Sequence, residues 1–179
     1  MKTKELIEKL EKSKAYKDFK KSEEGKKAFL CAVFLIMNFK SNSLENSLDF
    51  RNEKNIFTFK LPQNEKEEII MQKEDLIPSR KQLGQIDEKM LSKLKADIGD
   101  LENHVKKELE KNKISNPLEE IITVLQASDE NKSLVWNLTC IAQAFTIISM
   151  SIDALEGKTL KFDKKNLLDF VSVRKPENK

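Results

Sequence analysis

The stretch LVWNLTCIAQAFTIISMSID, residues 134–153, decides the fold of this chain. Its second half alternates, so that one side of an extended strand would carry Ala144, Thr146, Ile148, Met150 and Ile152. Alternation with period two among β-branched and aromatic residues is typical of a half-buried strand. The same parity places Trp136 and Cys140 together on one face, as expected of core residues. The segments upstream read as helices that need such a sheet to pack against.

The composition indicates a globular chain with a sizeable core. Of its 179 residues 39% are hydrophobic, a fraction at which intrinsic disorder is not expected. The 33 basic and 30 acidic residues nearly cancel, and the net charge of +3 is only a weak indication of a polyanionic partner. Four glycines leave little room for phosphate-binding loops, and no G-x-G-x-x-G or Walker A sequence is present. We therefore predict no nucleotide cofactor.

The two cysteines, Cys31 and Cys140, both lie in apolar segments that read as strands. An isolated cysteine in such a setting behaves as a small hydrophobic residue, so we predict two buried free thiols. A disulfide between them stays open as the alternative, because the sequence does not say whether the two strands are neighbours. Without a C-x-x-C motif or a Cys/His cluster, no metal site is predicted.

The N-terminal and apolar segments predict a cytoplasmic protein without a membrane span. The first residues, MKTKELIEKLEKSK, alternate charged and apolar positions and lack the apolar centre of a secretion signal. The longest apolar run, residues 28–37, is much shorter than the roughly 20 residues that a membrane helix needs.

The first half of the chain reads as a helix followed by strands. The predicted elements are an amphipathic helix at 3–22, a buried strand at 28–39, and a hairpin of strands 47–51 and 55–61. Both parities of 28–39 are apolar, so as a strand it would be buried on both faces, and a buried helix stays open. Residues 40–46 read as a loop. Residues 62–86 read as mostly irregular, with Ile69 to Met71 as a short edge strand.

The second half begins with a predicted long helix from Asp87, its N-cap, to about Lys113. Its apolar residues recur at spacings of three or four and form one predicted stripe: Leu91, Leu94, Ile98, Leu101, Val105 and Leu109. The predicted strands that follow lie at 118–127, 134–142, 144–153 and 159–163. At Gln143 the sequence leaves open a tight turn or a bulge within one continuous strand. A turn is expected at 155–158, and residues 164–171 could be a final short helix or strand.

Both halves have the same predicted order of elements: an amphipathic helix, an apolar strand and further strands. We predict an α+β fold in which amphipathic helices pack on a curved antiparallel sheet. The whole chain, 1–179, is expected to form one domain. A further hypothesis divides it into two pseudo-repeat halves, 1–61 and 87–163, joined by a linker at 62–86.

Part of the second half resembles PepSY-type domains. The resemblance rests on Trp136-Asn137-Leu138-Thr139, on the strand that ends in Ile152-Asp153-Ala154, and on Gly157 after it, and it covers roughly 87–163. It implies a cystatin-like unit, with one helix packed on an antiparallel sheet. Together with the repeated order of elements, this gives the further hypothesis of two such units in tandem. PepSY domains are commonly extracytoplasmic, accompany protease propeptides and carry no catalytic residues. The sequence departs from the PepSY pattern before Gly157, where the usual threonine is absent, and we expect neither a signal segment nor an attached protease.

No constellation in the sequence predicts catalysis. The single histidine, His104, lies at the edge of the predicted helix stripe and reads as a boundary residue. The adjacent pairs Glu67-Glu68 and Glu119-Glu120 would point to opposite faces of a strand, so neither forms an acid/base pair. Asp153 reads as a turn cap. We therefore predict no catalytic, cofactor-binding or metal-binding residues and do not expect an enzyme.

The leading functional hypothesis is a non-catalytic binding or scaffold module that contacts a protein or peptide, for which strand edges are a common docking element. One alternative is a protein associated with nucleic acid through the lysine-rich N-terminal helix and Arg80-Lys81. Another is a small-molecule-binding or enzymatic domain with an unrecognised site. The oligomeric state stays open.

Overall fold

The structure is a computed structural model, and it describes residues 2–64, 67–76, 83–128 and 133–166. The fold is α+β: helices pack on one antiparallel sheet of eight strands. The helices are α1 (Thr3–Lys12), α2 (Lys14–Lys21), α3 (Glu23–Lys27), α4 (Glu88–Leu91) and α5 (Ile98–Lys111). The strands are β1 (Phe29–Asn38), β2 (Ser43–Arg51), β3 (Asn55–Leu61), β4 (Ile70–Asp75), β5 (Leu118–Ser128), β6 (Ser133–Ala142), β7 (Thr146–Asp153) and β8 (Lys158–Asn166).

The sheet consists of two four-stranded meanders joined at the centre. Its order is β4-β3-β2-β1-β5-β6-β7-β8, and every neighbouring pair is antiparallel. The first strand of each meander, β1 or β5, carries a register shift near its start, at Leu30 to Ala32 and at Leu118 to Glu120. The central pair β1–β5 joins both halves into one sheet, and β4 and β8 are its two edges.

The core lies between the helices and one face of the sheet. Over the first meander, Phe19 of α2 packs into an aromatic cluster, with its ring centre 4.7 Å from that of Phe57 and 5.2 Å from that of Phe59. Over the second meander, α5 buries a stripe of side chains on the sheet: Ile98, Leu101, Val105 and Leu109. This stripe was predicted, and so was the core position of Trp136, which is fully buried.

Asp97 holds the two helical groups together at their N-termini. Its carboxylate caps α5 by accepting from the backbone N–H of Ile98 at 2.8 Å. The same Oδ1 accepts from the backbone N–H of Thr3 at 2.9 Å and from the Thr3 hydroxyl. One carboxylate therefore satisfies N–H donors at the start of both α1 and α5, where the helix dipoles favour negative charge.

The predicted helix at 3–22 is broken, because Ser13 has an extended backbone (φ −69°, ψ 151°). The Ser13 hydroxyl accepts from the backbone N–H of Tyr16 at 3.1 Å and so caps α2. The break reorients the chain and lets both Leu10 and Phe19 reach the sheet. Ser22 caps α3 in the same way, since its hydroxyl accepts from the backbone N–H of Gly25 at 3.0 Å. Gly25 lies so close to the Phe19 carbonyl that a Cβ at this position would be 2.0 Å from the carbonyl oxygen.

The predicted long helix 87–113 is also broken. Asp87 is an N-cap as predicted, but only of the four-residue α4. The backbone N–H groups of Lys95 and Ala96 instead bond to the carbonyl of Ala154 at 2.9 and 3.0 Å. The indole N–H of Trp136 donates to the carbonyl of Ala96 at 2.9 Å. These tertiary hydrogen bonds outweigh the local preference for helix, and α5 starts ten residues later than predicted.

The strand predictions are largely confirmed, with corrections at the ends. The β1, β5 and β6 positions, the β2–β3 hairpin and the edge strand near Ile70 agree with the structure. Strand β2 begins at Ser43, inside the segment predicted as a loop. The joint at Gln143 is a tight turn, in which Ala144 and Phe145 have left-handed backbones (φ 57° and 56°) rather than continuing the strand. Strand β8 extends to Asn166, and residues 167–171 lie outside the described residues.

Candidate interaction surface

The two cysteines are buried free thiols, as predicted. Burial raises the pKa of each thiol to about 12. Cys140 of β6 and Met37 of β1 both lie opposite Ile121 of β5, so Cys140 is level with Met37 along the strand direction. Met37 is six residues from Cys31 in β1. At about 3.3 Å per residue this is an offset of about 20 Å, far beyond disulfide reach. The sequence had left the disulfide open.

His104 and Asp153 have the structural roles that the sequence indicated. His104 is half-buried on α5, and its Nε2 lies 3.0 Å from the hydroxyl of Thr159 on β8. The carboxylate of Asp153 accepts from the backbone N–H groups of Leu155 and Glu156, both at 2.9 Å, and so caps the turn before β8.

Among the residues that the structure describes, the remaining charged positions singled out in the sequence do not converge on one site. Glu119 pairs with Lys40 at 2.9 Å, and Glu120 accepts from the Asn38 amide at 3.1 Å. Glu67 and Glu68 are exposed just before β4. Several lysines of the N-terminal helices pair with acidic neighbours, as in Lys4–Glu8, Lys21–Asp18 and Lys26–Glu23. Arg80 and Lys81 lie outside the described residues.

Within the described residues, no helix packs on the second face of the sheet, and half-buried apolar side chains lie there. In β1, Val33 and Leu35 point into the core, whereas Phe34 and Ile36 point to the opposite face and are only half-buried. Strand pairing places Phe34 beside Val124 and Ile36 beside Ile122. We call the resulting set the open-face patch, and its members are Phe34, Ile36, Ile122, Val124, Ile141 and Ile147.

Polar side chains border the open-face patch on both sides. Towards β8 the neighbouring positions on the same face are polar or charged: Asn137, Thr139, Ser149, Ser151, Lys161, Asp163 and Lys165. Towards β4 they are Glu45, Ser47, Asp49, Thr58 and Lys60. An apolar centre inside a polar rim is the usual anatomy of a protein–protein interface.

Asp49 is the least solvated carboxylate of this rim. It lies between Ala32 and Thr58 in the pairing of β1, β2 and β3, and its Oδ1 is buried without a hydrogen-bond partner. Burial raises the pKa of Asp49 above its usual value; a hydrogen bond from Thr58 opposes that rise, and the negative charge of Glu74 adds to it.

Two depressions in the described surface lie away from the open-face patch and are open to solvent. Their volumes are about 740 and 600 Å³, and they lie beside α1–α2 and at the β2–β3 turn, respectively. Within the described ranges, no three His, Cys, Asp or Glu side chains are grouped so as to hold a metal ion. No helix in the described part of the chain is long and apolar enough to cross a membrane.

The sequence signal of the open-face patch is the apolar character of both faces of residues 28–39. Both parities of residues 28–39 are apolar, which predicted burial on both faces. In the structure helices cover one face of β1. On the other face Ala32 is buried, whereas Phe34 and Ile36 are half-buried. The apolar second face of a central strand was therefore the signal for a surface rather than for a second layer.

Comparisons with known proteins support the fold. No protein-family model matches this chain, and no curated protein matches it. Among solved structures, the crystal structure of a "putative lipoprotein" from Clostridium difficile 630 is similar, with a TM-score of 0.54 and 16% sequence identity over 84% of this chain and 90% of that chain. At this identity the likeness shows a shared fold and nothing about activity.

Proposed function

We propose that this protein is a non-catalytic binding module and that the open-face patch is its contact surface for a protein or peptide. One observation carries the proposal: helices cover one face of the eight-stranded sheet, whereas the other face has a contiguous apolar centre. Soluble proteins rarely leave such patches open without a use for them.

The shape and setting of the patch favour a polypeptide partner over a small ligand. A small-molecule site is concave and encloses most of its ligand. The open-face patch instead lies on the surface of a sheet, across strands β1, β5, β6 and β7, and its rim offers hydroxyl, amide and charged groups for hydrogen bonds. A sheet surface of this kind suits a partner that lays a helix or a second sheet across it.

We infer that the chain is a tandem of two cystatin-like units of the PepSY type, each with helices followed by a four-stranded meander. The repeated order of elements and the matching register shifts in β1 and β5 support this. The central β1–β5 pairing would then be the junction of the two units. A cytoplasmic location stays a prediction from the N-terminal sequence.

The proposal is tested by affinity capture from extracts of the native host. The wild-type protein is compared with the double variant Phe34→Asp/Ile122→Asp, which places two charges in the centre of the patch. We expect a protein retained by the wild type to be lost from this variant, because burying an unpaired charge at an interface is strongly unfavourable. Circular dichroism and urea unfolding establish that the variant is folded.

The matched control is Leu160→Asp, since Leu160 is an apolar residue of β8 that is 48% exposed and lies outside the patch. This control should retain the same protein as the wild type. Capture of nothing by the wild type, or equal capture by the wild type and the folded double variant, would contradict the proposal.

A further inference from the structure

The β4 edge of the sheet is accessible, and its first two residues are apolar. All six residues of β4 are exposed, and Ile70 and Met71 retain 59% and 42% of their accessible surface. No described segment pairs with the outer side of β4. A strand edge of this kind offers unpaired backbone N–H and C=O groups to another strand. The opposite edge, β8, has lysines at four of its nine positions, a composition that discourages pairing between edges.

The sequence around β4 is nearly self-complementary when read against its own reverse. Residues 67–73 read EEIIMQK. In an antiparallel pair of two copies centred on Ile70, Ile70 lies opposite itself and Ile69 lies opposite Met71. Glu68 lies opposite Gln72, and Glu67 lies opposite Lys73. Each of these contacts except the central one occurs twice, because the arrangement has a two-fold axis.

Directly opposite residues in an antiparallel pair lie on the same face, and this register satisfies that requirement. Ile69 packs against the core on the helix side, where Lys73 also lies 2.6 Å from Glu24 of α3. Odd-numbered residues of this segment therefore face the helices in both copies, and even-numbered residues face the open side. The charge of Glu67 would meet Lys73 on the helix side at both ends of the junction.

Neighbouring registers match less well. Moving the axis to Met71 places Glu68 opposite Glu74, which is a like-charge pair on both sides of the axis. Moving it to Ile69 places the charged Glu67 opposite Met71. Like charges directly opposite each other destabilise a strand pair, whereas opposite charges and apolar pairs stabilise it.

We propose that two copies of this chain associate through their β4 edges, antiparallel and centred on Ile70. The two sheets then form one continuous sheet, with the helices of both copies on the same side. The two open-face patches also face the same side, so a dimer would present its contact surface twice. This inference does not depend on the proposed function, because it uses a different edge of the sheet and different residues.

Sedimentation equilibrium of the full chain over a range of concentrations tests the proposal. We expect the wild type to pass from the 20.7 kDa monomer to a species of twice that mass. Ile70→Lys sets two like charges against each other at the axis and should raise the dissociation constant by about tenfold or more. Leu160→Lys introduces the same residue at the β8 edge and should leave the dissociation constant unchanged.

A charge exchange tests the register. Glu67→Lys and Lys73→Glu should each weaken the dimer, and the double variant should recover much of the loss, because the opposite charges face each other again. The proposal is overturned if the wild type stays monomeric wherever it is soluble, or if Ile70→Lys dimerises as tightly as the wild type. A folded double variant that is no tighter than either single variant would overturn the register.

Discussion

Single residues explain why two predicted helices are broken and why a tight turn joins β6 to β7. Ser13 ends one helix and caps the next, and Trp136 holds the carbonyl of Ala96. Hydrophobic periodicity does not reveal either effect, because each depends on one side-chain hydrogen bond to a backbone group: the N–H of Tyr16 for Ser13 and the carbonyl of Ala96 for Trp136. The turn at Ala144 and Phe145 is similar: no glycine or asparagine marks it, yet both residues have left-handed backbones, a conformation that costs roughly 1–2 kcal/mol per residue.

Asp49 gives a prediction about pH at the residue scale. Its pKa is raised by burial in the folded state, so the folded protein binds this proton more tightly than the unfolded chain does. The stability that Asp49 contributes is therefore fully present below its unfolded pKa and is lost as the pH rises through the folded value. Asp49→Asn stays neutral at every pH and should gain unfolding free energy relative to the wild type as the pH rises.

The measurement is urea unfolding of both proteins at about pH 3.5 and about pH 7, on either side of the usual range for aspartate. The difference in unfolding free energy between Asp49→Asn and the wild type should grow in favour of the variant at the higher pH. Asp163→Asn is the control, since Asp163 lies on the same face beside Lys165 at 3.5 Å. A difference for Asp49→Asn that shrinks with rising pH would be incompatible with a buried, desolvated carboxylate.

At the scale of elements, the strands were more predictable than the helices. The strands β1, β5, β6 and β7 alternate or are continuously apolar because the core forces those patterns on them. The helices were placed correctly by their apolar stripes but were predicted too long, since their ends depend on caps and tertiary hydrogen bonds. The open-face patch could not be predicted from the sequence. A strand with apolar residues on both faces has the same sequence pattern whether its second face is buried or forms an apolar surface.

Asp97 gives a prediction at the element scale, because it joins α1 to α5. Asp97→Ala removes the cap of α5 and the partner of the Thr3 N–H, and it should lower the unfolding free energy by about 1–2 kcal/mol. Asp87→Ala is the matched control: it removes the same side chain from the cap of the short α4, where Asp87 is exposed. Urea unfolding should show a clearly larger loss for Asp97→Ala; equal losses would contradict a shared cap.

At the scale of the whole molecule, the two halves share one sheet and one helix layer. The core cluster runs from the aromatic residues over the first meander to the α5 stripe over the second. All of this packing uses one face of the sheet. The proposed partner contact and the proposed dimer use what the packing leaves free, namely the open face and the β4 edge.

The most direct test of the central claim is thiol labelling at Ile122, a partly exposed residue of the open-face patch. Ile122→Cys should react readily with a maleimide in the purified protein, whereas the buried native thiols should stay inert. Inside the native host, with a permeable maleimide, the same variant should be protected, and Leu160→Cys should react in both settings. Equal labelling of Ile122→Cys in the cell and in the purified protein would contradict the claim that a partner covers this face.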